Sequence, residues 1–396
     1  FIMIITLFGA YSGLGIYTAQ YWGKKDIVNI KKIMGMAFTI GLILSTFFTI
    51  GTLFFPSEII SIFLRDPVVI EKGASYLSIA AFTYIPVSIA FVFSYTSRSV
   101  HMTKFPMAAS IIALSINTFL NYLLINGNWG MPELGVRGAA IATLIARVIE
   151  LFLLIIIIYK SKDHPLAGKI KEFFSFNFSM LKRVIKTAFP VIINESAWVL
   201  GVSVYFIAYG FLGTAAIASA QVAMTISDLI WAFLIGMGNA TAVLVGNQLG
   251  ANQIESAFSI SKRLVKMEFI ATLFLAALYA LFGYMIAGLF GLTDETKELA
   301  TKCIYVTAAF IPIRQLGFVY IVGILRSGGD TRFCMFLDIG MVWLLGIPVA
   351  FFAVLVLKLP IYWAMALINI EELLKVIIAR RRFLSRQWIN VLVEHE

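Results

Sequence analysis

The chain has 396 residues, of which 60% are hydrophobic and only 13% are charged, and its mean hydropathy is +0.92. Soluble domains carry about 45–50% apolar and about 25% charged residues, so this composition excludes an ordinary soluble protein and indicates a polytopic membrane protein. The formal charge of +10 does not indicate a nucleic-acid partner, because the cations lie in short loops between apolar runs instead of along one face.

Eleven apolar runs approach or exceed the about 20 residues that a helix needs to cross a bilayer core of about 30 Å. Period-two alternation in ten-residue segments, which is typical of outer-membrane barrels, is not seen, so the runs predict helices. The chain is therefore predicted to be an all-α, multi-pass protein of the cell membrane. In chain order the predicted helices are 1–21, 33–55, 73–97, 105–125, 136–159, 184–211, 217–246, 267–290, 301–324, 333–357 and 360–379.

Lysine and arginine in the loops predict the orientation, because cytoplasmic loops carry the positive excess. If the loop after the first run is cytoplasmic, 23 of the 31 cations lie on that side, including seven between Lys160 and Lys186. Six lie on the opposite side, and Arg147 and Arg314 lie inside predicted helices. The sequence therefore predicts that this loop faces the cytoplasm.

The second half of the chain repeats features of the first half at a nearly constant offset. Each half begins with a helix that enters a basic loop, so the halves are predicted to be parallel repeats, as in many transporters. The matching segments are 20–26 with 247–253 (offset 227), 84–86 with 310–312 (offset 226), and 98–104 with 326–332 (offset 228).

The repeat predicts two six-helix bundles, of which the first lacks about 45 residues and one helix at its start. Eleven of twelve intended helices are then present: an N-lobe of helices two to six at 1–159, a cytoplasmic linker at 160–182, and a C-lobe of helices seven to twelve with a basic tail at 183–396. The linker combines lysines with phenylalanines, which suits either a segment in the membrane interface or a plain basic linker.

Charged residues inside spans are costly and usually face a partner or a cavity. Glu195, Asp228 and Arg314 are predicted near mid-depth. Glu195 is either an ion- or cation-binding carboxylate or a structural hydrogen-bond partner. Asp228 and Arg314 are expected to form a charge pair, with each other or with Glu195, that is either structural or functional. Asp338, five residues into its helix, is expected to snorkel to the interface.

In the N-lobe, Asn117 and Asn121 lie one helical turn apart and present carbonyl oxygens on one face, as a hard cation requires. Asparagines also hold membrane helices together, so both interpretations stay open. Arg147 and Glu150 are three residues apart and are expected to form a local ion pair.

Several of these features resemble the MATE family of multidrug and toxic compound extrusion transporters, over essentially the whole chain. One feature that carries the resemblance is the pair of parallel halves. The residues that carry it are Asn117 and Asn121, the stretch from Gly138 to Thr143, the run from Pro190 to Trp198, and Leu325 to Thr331. The resemblance implies a cation-coupled antiporter with two lobes that alternate between inward and outward openings.

The resemblance also implies particular ion-site residues. In the branch with DinF-like members, Asn117 and Thr143 match an N-lobe ion site, and Asn121 stands where that site has an acid. In the NorM-like branch the acids lie on helices seven and ten. Glu195 falls about one turn before the helix-seven acid, and Arg314 lies on helix ten, which offers no carboxylate.

Three functions are compatible with the sequence. The first is export of amphipathic organic cations and drugs by alternating access, in exchange for H+ or Na+. A flippase for lipid-linked sugars is the alternative, and it predicts a strongly cationic central cavity. The third is a membrane scaffold or receptor without transport. The expected partners are small organic cations and membrane lipids, and we expect a monomer.

No enzyme is predicted, because the sequence contains no nucleophile, metal or phosphate-binding motif. Cysteine and histidine are too scarce and scattered for a metal site or a disulfide framework, so no metal or organic cofactor is expected. The cysteines are Cys303 and Cys334, and the histidines, all in predicted loops, are His101, His164 and His395.

Overall fold

The computed structural model describes residues 2–62, 65–161 and 164–393, and its regular secondary structure there is helical throughout. Phe1, Lys162 and His395 lie outside the described residues. Contacts between residues divide the chain into two compact units, Phe1–Ile185 and Lys186–Glu396. The boundary lies inside α9 (Phe178–Gly210).

The first unit consists of helices that follow the predicted runs closely, with short helices between them. In chain order they are α1 (Ile2–Gly23), α2 (Ile27–Phe54), α3 (Pro56–Ser61), α4 (Pro67–Ala80), a 3-10 turn (Ala81–Thr83), α5 (Tyr84–Ser99), α6 (Lys104–Asn126), a 3-10 turn (Asn128–Gly130), α7 (Val136–Lys160) and α8 (Ile170–Phe173).

The second unit contains the remainder of α9 and helices in which three π-helical segments occur. In chain order they are α10 (Thr214–Gly250), α11 (Ile254–Leu281), α12 (Gly283–Gly288), α13 (Asp294–Phe318) continuing as a π-helix (Val319–Leu325), α14 (Thr331–Gly340), a π-helix (Met341–Gly346), α15 (Ile347–Phe351), a π-helix (Phe352–Val356), α16 (Ile361–Ile368) and α17 (Ile370–Leu384).

Nine helices in the described part of the chain are long and apolar enough to cross a membrane. The predicted run 1–21 is also helical, as α1, which has 22 residues and no charged side chain. The last predicted run is divided at Asn369 into α16 and α17, of 8 and 15 residues. Each part is shorter than the about 20 residues that a span needs.

Helix ends follow the local sequence. Asp26 and Asp66 cap α2 and α4 by accepting hydrogen bonds from backbone N–H groups of the first turn, and Pro67 starts α4 where no N–H is needed. Gly127 ends α6 with a positive φ of 68°, the left-handed conformation that glycine adopts without strain.

The internal repeat is visible in the backbone. Lys25, after α1, and Asn252, after α10, are 227 residues apart and have positive φ angles of 63° and 59°. The hydrogen bonds that close the two turns also match, since Asp26 N–H bonds Tyr21 O and Gln253 N–H bonds Gln248 O. The parallel repeat predicted from sequence therefore extends to the geometry of individual turns.

The offset between the halves grows from 226 to 228 between the second and third matches. In the second unit this interval contains the π-helix Val319–Leu325, whereas the matching part of the first unit is the regular α-helix α5. A π-helix closes i to i+5 hydrogen bonds and so holds more residues in each turn. The π-helix therefore accounts for the added residues.

The predicted linker packs on the first unit through α8. Lys31 Nζ lies 2.7 Å from Glu172 Oε2, and this hydrogen-bonded ammonium lowers the pKa of the Glu172 carboxyl. A Cβ at Gly35 would lie 1.8 Å from the carbonyl oxygen of Phe173, so only glycine permits this approach. Phe174 and Phe178 are exposed, as an interfacial segment requires.

The predicted orientation is testable by cysteine labelling, because α7 separates Met131 from Ser175 and both native cysteines are buried. We expect a membrane-impermeable maleimide to modify Met131→Cys in intact cells. Ser175→Cys should react only after permeabilisation, because the cation excess places the linker in the cytoplasm. Labelling of Ser175→Cys in intact cells, with Met131→Cys protected, would reverse the orientation.

Candidate functional site

Five charged side chains of the second unit form one connected group, called here the buried ion network. Arg326 Nη1 donates to Glu195 Oε1 at 2.5 Å, and Arg326 Nη2 lies 3.9 Å from Asp338 Oδ2. Lys375 Nζ lies 3.2 Å from Asp338 Oδ1 and 3.1 Å from Glu372 Oε1. Glu195 lies on α9, Asp338 on α14, and Glu372 and Lys375 on α17. Arg326 lies at the end of the π-helix Val319–Leu325, so the network joins these four elements.

Burial makes these pairs interdependent. The Arg326 and Lys375 side chains are 4% and 3% exposed, whereas Glu195 is 17% exposed and is the most accessible member of the network. Asn194 adds a 3.0 Å hydrogen bond to Asp338. A buried charge that loses its partner is strongly destabilising, so each cation here is held by at least two carboxylates.

The structure places the three predicted mid-depth residues separately. Glu195 lies in the buried ion network. Arg314 lies over the Trp231 ring at 5.2 Å, and Asp228 is exposed. In the described ranges no ion pair joins Asp228 to Arg314, or either of them to Glu195. The prediction of this charge pair is therefore wrong. Glu195 pairs with Arg326, and Arg314 packs over the Trp231 ring.

The expectation for Asp338 is also wrong. Its side chain does not snorkel to the interface but is buried in the network, between Arg326 and Lys375. Sequence reasoning assigned both cations to cytoplasmic segments, because they lie near the ends of apolar runs. Because no buried cation was predicted near Asp338, its carboxylate was expected to reach water at the membrane interface.

A cavity of about 70 Å³ lies beside the network in the second unit. Tyr205 donates a 2.8 Å hydrogen bond to Glu371 at its wall. Aromatic rings with carboxylates recognise organic cations, through cation–π and charge interactions. Its lining includes Trp198, Tyr205, Tyr209, Arg314, Glu371 and Glu372.

The three candidate residues of the first unit lie together on α6 and α7. Asn121 Nδ2 donates to Asn117 Oδ1 at 3.1 Å, and Asn117 Nδ2 donates to Thr143 Oγ1 at 3.4 Å. Asn121 Oδ1 is buried and has no hydrogen-bond partner in the part of the chain that the structure describes. The cluster therefore leaves one buried acceptor unused.

Arg147 and Glu150 form the predicted local ion pair, with Arg147 Nη1 2.7 Å from Glu150 Oε2. Ser110 of α6 also donates to Glu150, at 2.6 Å. The Ser110 hydrogen bond links α6 to α7, and the two contacts together give each carboxylate oxygen of Glu150 a partner.

Sequence reasoning missed Arg326, Lys375, Glu371 and Glu268. The signal for Arg326 was its place in the Arg-Ser repeat. The signal for Lys375 was its three-residue spacing from Glu372, with which it forms an ion pair on α17. Glu268 is buried in the middle of α11, but the predicted span began at residue 267 and made this carboxylate look terminal.

The family follows from comparison with known proteins. The MatE family model matches residues 1–123 and 190–352, one stretch in each half of the chain. The chain belongs to the MatE family. It is a multi-pass membrane transporter of this family of multidrug efflux proteins, and not an enzyme.

Relatives of this MatE chain cover most of its length. It is 25% identical over 354 residues to the probable multidrug resistance protein NorM of Bacillus licheniformis, covering 86% of this chain and 77% of that protein. It is 26% identical over 400 residues to the uncharacterized transporter YisQ of Bacillus subtilis, covering 98% and 85%.

The fold also matches solved MatE structures. One is the outward-facing conformation of a multidrug resistance MATE family transporter of the MOP superfamily, with a TM-score of 0.83 and 17% identity over 96% of this chain and 86% of that one. This match confirms the all-helical membrane fold.

The importance of Arg326 is testable by thermal unfolding of the purified protein. We expect Arg326→Ala to lower the free energy of unfolding by about 3–5 kcal/mol, because it leaves Glu195 and Asp338 without their shared cation. Arg314→Ala is the control and should cost about 1 kcal/mol, the value of one cation–π contact. Equal losses in the two variants would contradict a special role for Arg326.

Proposed function

We propose that this MatE transporter is a cation-coupled antiporter, which exports amphipathic organic cations and drugs from the cell in exchange for H+ or Na+. It acts as a monomer in the plasma membrane, by alternating access. The observation that carries the proposal is the position of Glu195, which is bound to buried Arg326 and is still partly exposed.

Glu195 is suited to exchange one positive charge for another. Within the described residues its one ion pair is with Arg326, whereas Arg326 also approaches Asp338. A proton or cation that arrives at Glu195 competes with this guanidinium and weakens one link of the network. Because the network ties α9 to α14 and α17, occupancy of Glu195 changes how firmly these helices are held together.

The side chains around the cavity beside the network support an organic cation as the substrate, and the cavity of about 70 Å³ has to widen in the transport cycle to admit one. Trp198, Tyr205 and Tyr209 supply aromatic faces, and Glu371 and Glu372 supply negative charge. An amphipathic cation needs both kinds of contact. The name of the NorM relative, a probable multidrug resistance protein, agrees with such a substrate.

The alternative function, a flippase for lipid-linked sugars, predicted a strongly cationic cavity. The buried ion network instead contains Glu195, Asp338 and Glu372 against Arg326 and Lys375, and Glu371 adds a further carboxylate at the cavity wall. With Arg314 of the cavity wall, four carboxylates face three cations, so the site is mixed in sign and lacks the strong positive charge that the flippase predicted.

A second ion position is proposed in the first unit, at Asn117, Asn121 and Thr143. Its support is the unused buried oxygen of Asn121, in a cluster of side chains that all carry oxygen ligands. This position and the residues Asp228 and Arg314 complete the proposed ion- and substrate-binding set with Glu195.

Ethidium efflux from cells that express the chain tests the function. We expect Glu195→Gln to abolish most of the efflux, because a neutral amide no longer exchanges protons or holds a cation. Glu133→Gln, in an exposed loop, is the matched control and should retain full efflux. Undiminished efflux by Glu195→Gln at equal expression would contradict the assignment, and no efflux of any organic cation by the parent chain would favour the flippase.

A further inference from the structure

A second buried carboxylate of the second unit lies outside the network and the cavity. Glu268 is 1% exposed and lies 14 residues after the start of α11, which corresponds to about 21 Å along the helix. Thr241 of α10 donates to its Oε1 at 2.5 Å, and Gln315 of α13 donates to its Oε2 at 2.6 Å. These three residues are called here the Glu268 cluster.

The Glu268 cluster contains no cation. Glu268 forms no ion pair in the described ranges, and the charged side chains nearest in sequence on the packed helices point elsewhere. Lys266 and Asp228 are exposed, and Arg314 lies over Trp231; α12 and the π-helix Val319–Leu325 contain no charged residue. A lone carboxylate buried in this way is costly, so the cluster requires a positive charge from outside.

The contacts favour a proton over a metal ion. Hard metal ions are held by six or more oxygen ligands, whereas both oxygens of Glu268 already face N–H or O–H donors. A hydroxyl both donates and accepts, so a proton on Oε1 can be donated to Thr241 after its hydroxyl rotates. The Thr241 hydroxyl therefore forms a hydrogen bond with both the ionised and the protonated carboxyl of Glu268, and neither form needs additional space.

The amide of Gln315 supplies a second, independent observation. Its Nε2 also donates to the backbone oxygen of Leu234 at 3.2 Å, which fixes the amide orientation. Its Oε1 is then a buried acceptor that no donor in the described ranges reaches, on a residue that is 1% exposed. The amide therefore presents its N–H group to Glu268 and cannot accept from it, which leaves the Thr241 hydroxyl as the acceptor for a proton on the carboxyl.

The internal repeat shows that the fold does not require a carboxylate here. The offset of 227 that relates the α1–α2 and α10–α11 turns places Gly41 of α2 at the position of Glu268. A Cβ at Gly41 would lie 2.0 Å from the Tyr11 hydroxyl and 2.4 Å from the Ser88 hydroxyl. These two hydroxyls bond each other at 2.9 Å, so the first unit fills the equivalent space with neutral groups.

We propose that Glu268 is a proton-binding residue of the transport cycle, with Thr241 and Gln315 as its positioning residues. The inference rests on the proposed cation-coupled antiport and specifies H+ as one coupling ion. Gln315 links the site to the buried ion network along the chain, since α13 and its π-helix lead directly from Gln315 to Arg326. A change of protonation at Glu268 alters the hydrogen bond that holds this helix to α11.

Difference infrared spectroscopy of the purified full chain in lipid bilayers tests proton binding directly. We expect an acid-minus-alkaline spectrum to contain the carbonyl stretch of a buried carboxylic acid, and Glu268→Gln to lose that band. Glu255→Gln, an exposed site paired with Arg386, is the control and should retain it. Identical bands in the parent chain and Glu268→Gln would overturn the proposal, as would loss of the band on addition of Na+ at constant pH.

A second variant keeps the carboxylate and tests its environment. Thr241→Val removes one donor to the ionised form, so we expect about tenfold tighter proton binding, observed as persistence of the band to more alkaline pH. An unchanged titration in Thr241→Val would contradict the assigned hydrogen bond. Thermal unfolding and gel filtration establish that each variant is folded.

Proteoliposomes separate this inference from the proposed function. With a proton gradient, we expect ethidium transport to fall at least tenfold in Glu268→Gln and to be partly restored in Glu268→Asp. Full transport by Glu268→Gln would overturn the inference and leave the antiporter intact. If the parent chain transports no organic cation, the proposed function fails, and the infrared result still decides whether Glu268 binds a proton.

Discussion

Arg326 connects α9 and α14 through Glu195 and Asp338, and Asp338 extends the connection to Lys375 of α17. In an apolar environment charges persist only in combination, so the helices of the second unit are held by electrostatic contacts that apolar packing cannot replace one at a time. The same property couples these helices, because neutralising one carboxylate leaves a buried cation that is shared between helices with one partner fewer.

The two units use one backbone plan for different chemistry. The turns after α1 and α10 have the same geometry, but the first unit fills its centre with hydroxyl and amide groups, at Tyr11, Ser88 and Asn117. The second unit has interior carboxylates at Glu195 and Glu268, whereas the buried carboxylate of the first unit, Glu150, is held by Arg147 and Ser110. The turns therefore match between the units, while the buried polar residues differ.

Much of this fold was predictable from sequence, because long apolar runs allow few structures other than helices. The Arg147 and Glu150 pair was predictable for a similar reason, since three-residue spacing fixes a contact within one helix. Contacts between helices were not predictable. Arg326 reaches Glu195 across 131 positions of the chain, and counting cations in loops places Arg326 in the cytoplasm because it follows an apolar run.

The π-helix Val319–Leu325 has a consequence for the side of the helix on which Arg326 lies. Two residues added to an ordinary α-helix turn everything after them by about 200° and advance it by about 3 Å. An arginine rotated that far would leave Glu195 and face the opposite neighbours. The wider turns absorb much of this rotation, so Arg326 stays on the side of the helix that faces Glu195. Local helix width thus offsets the added residues and preserves this charge contact.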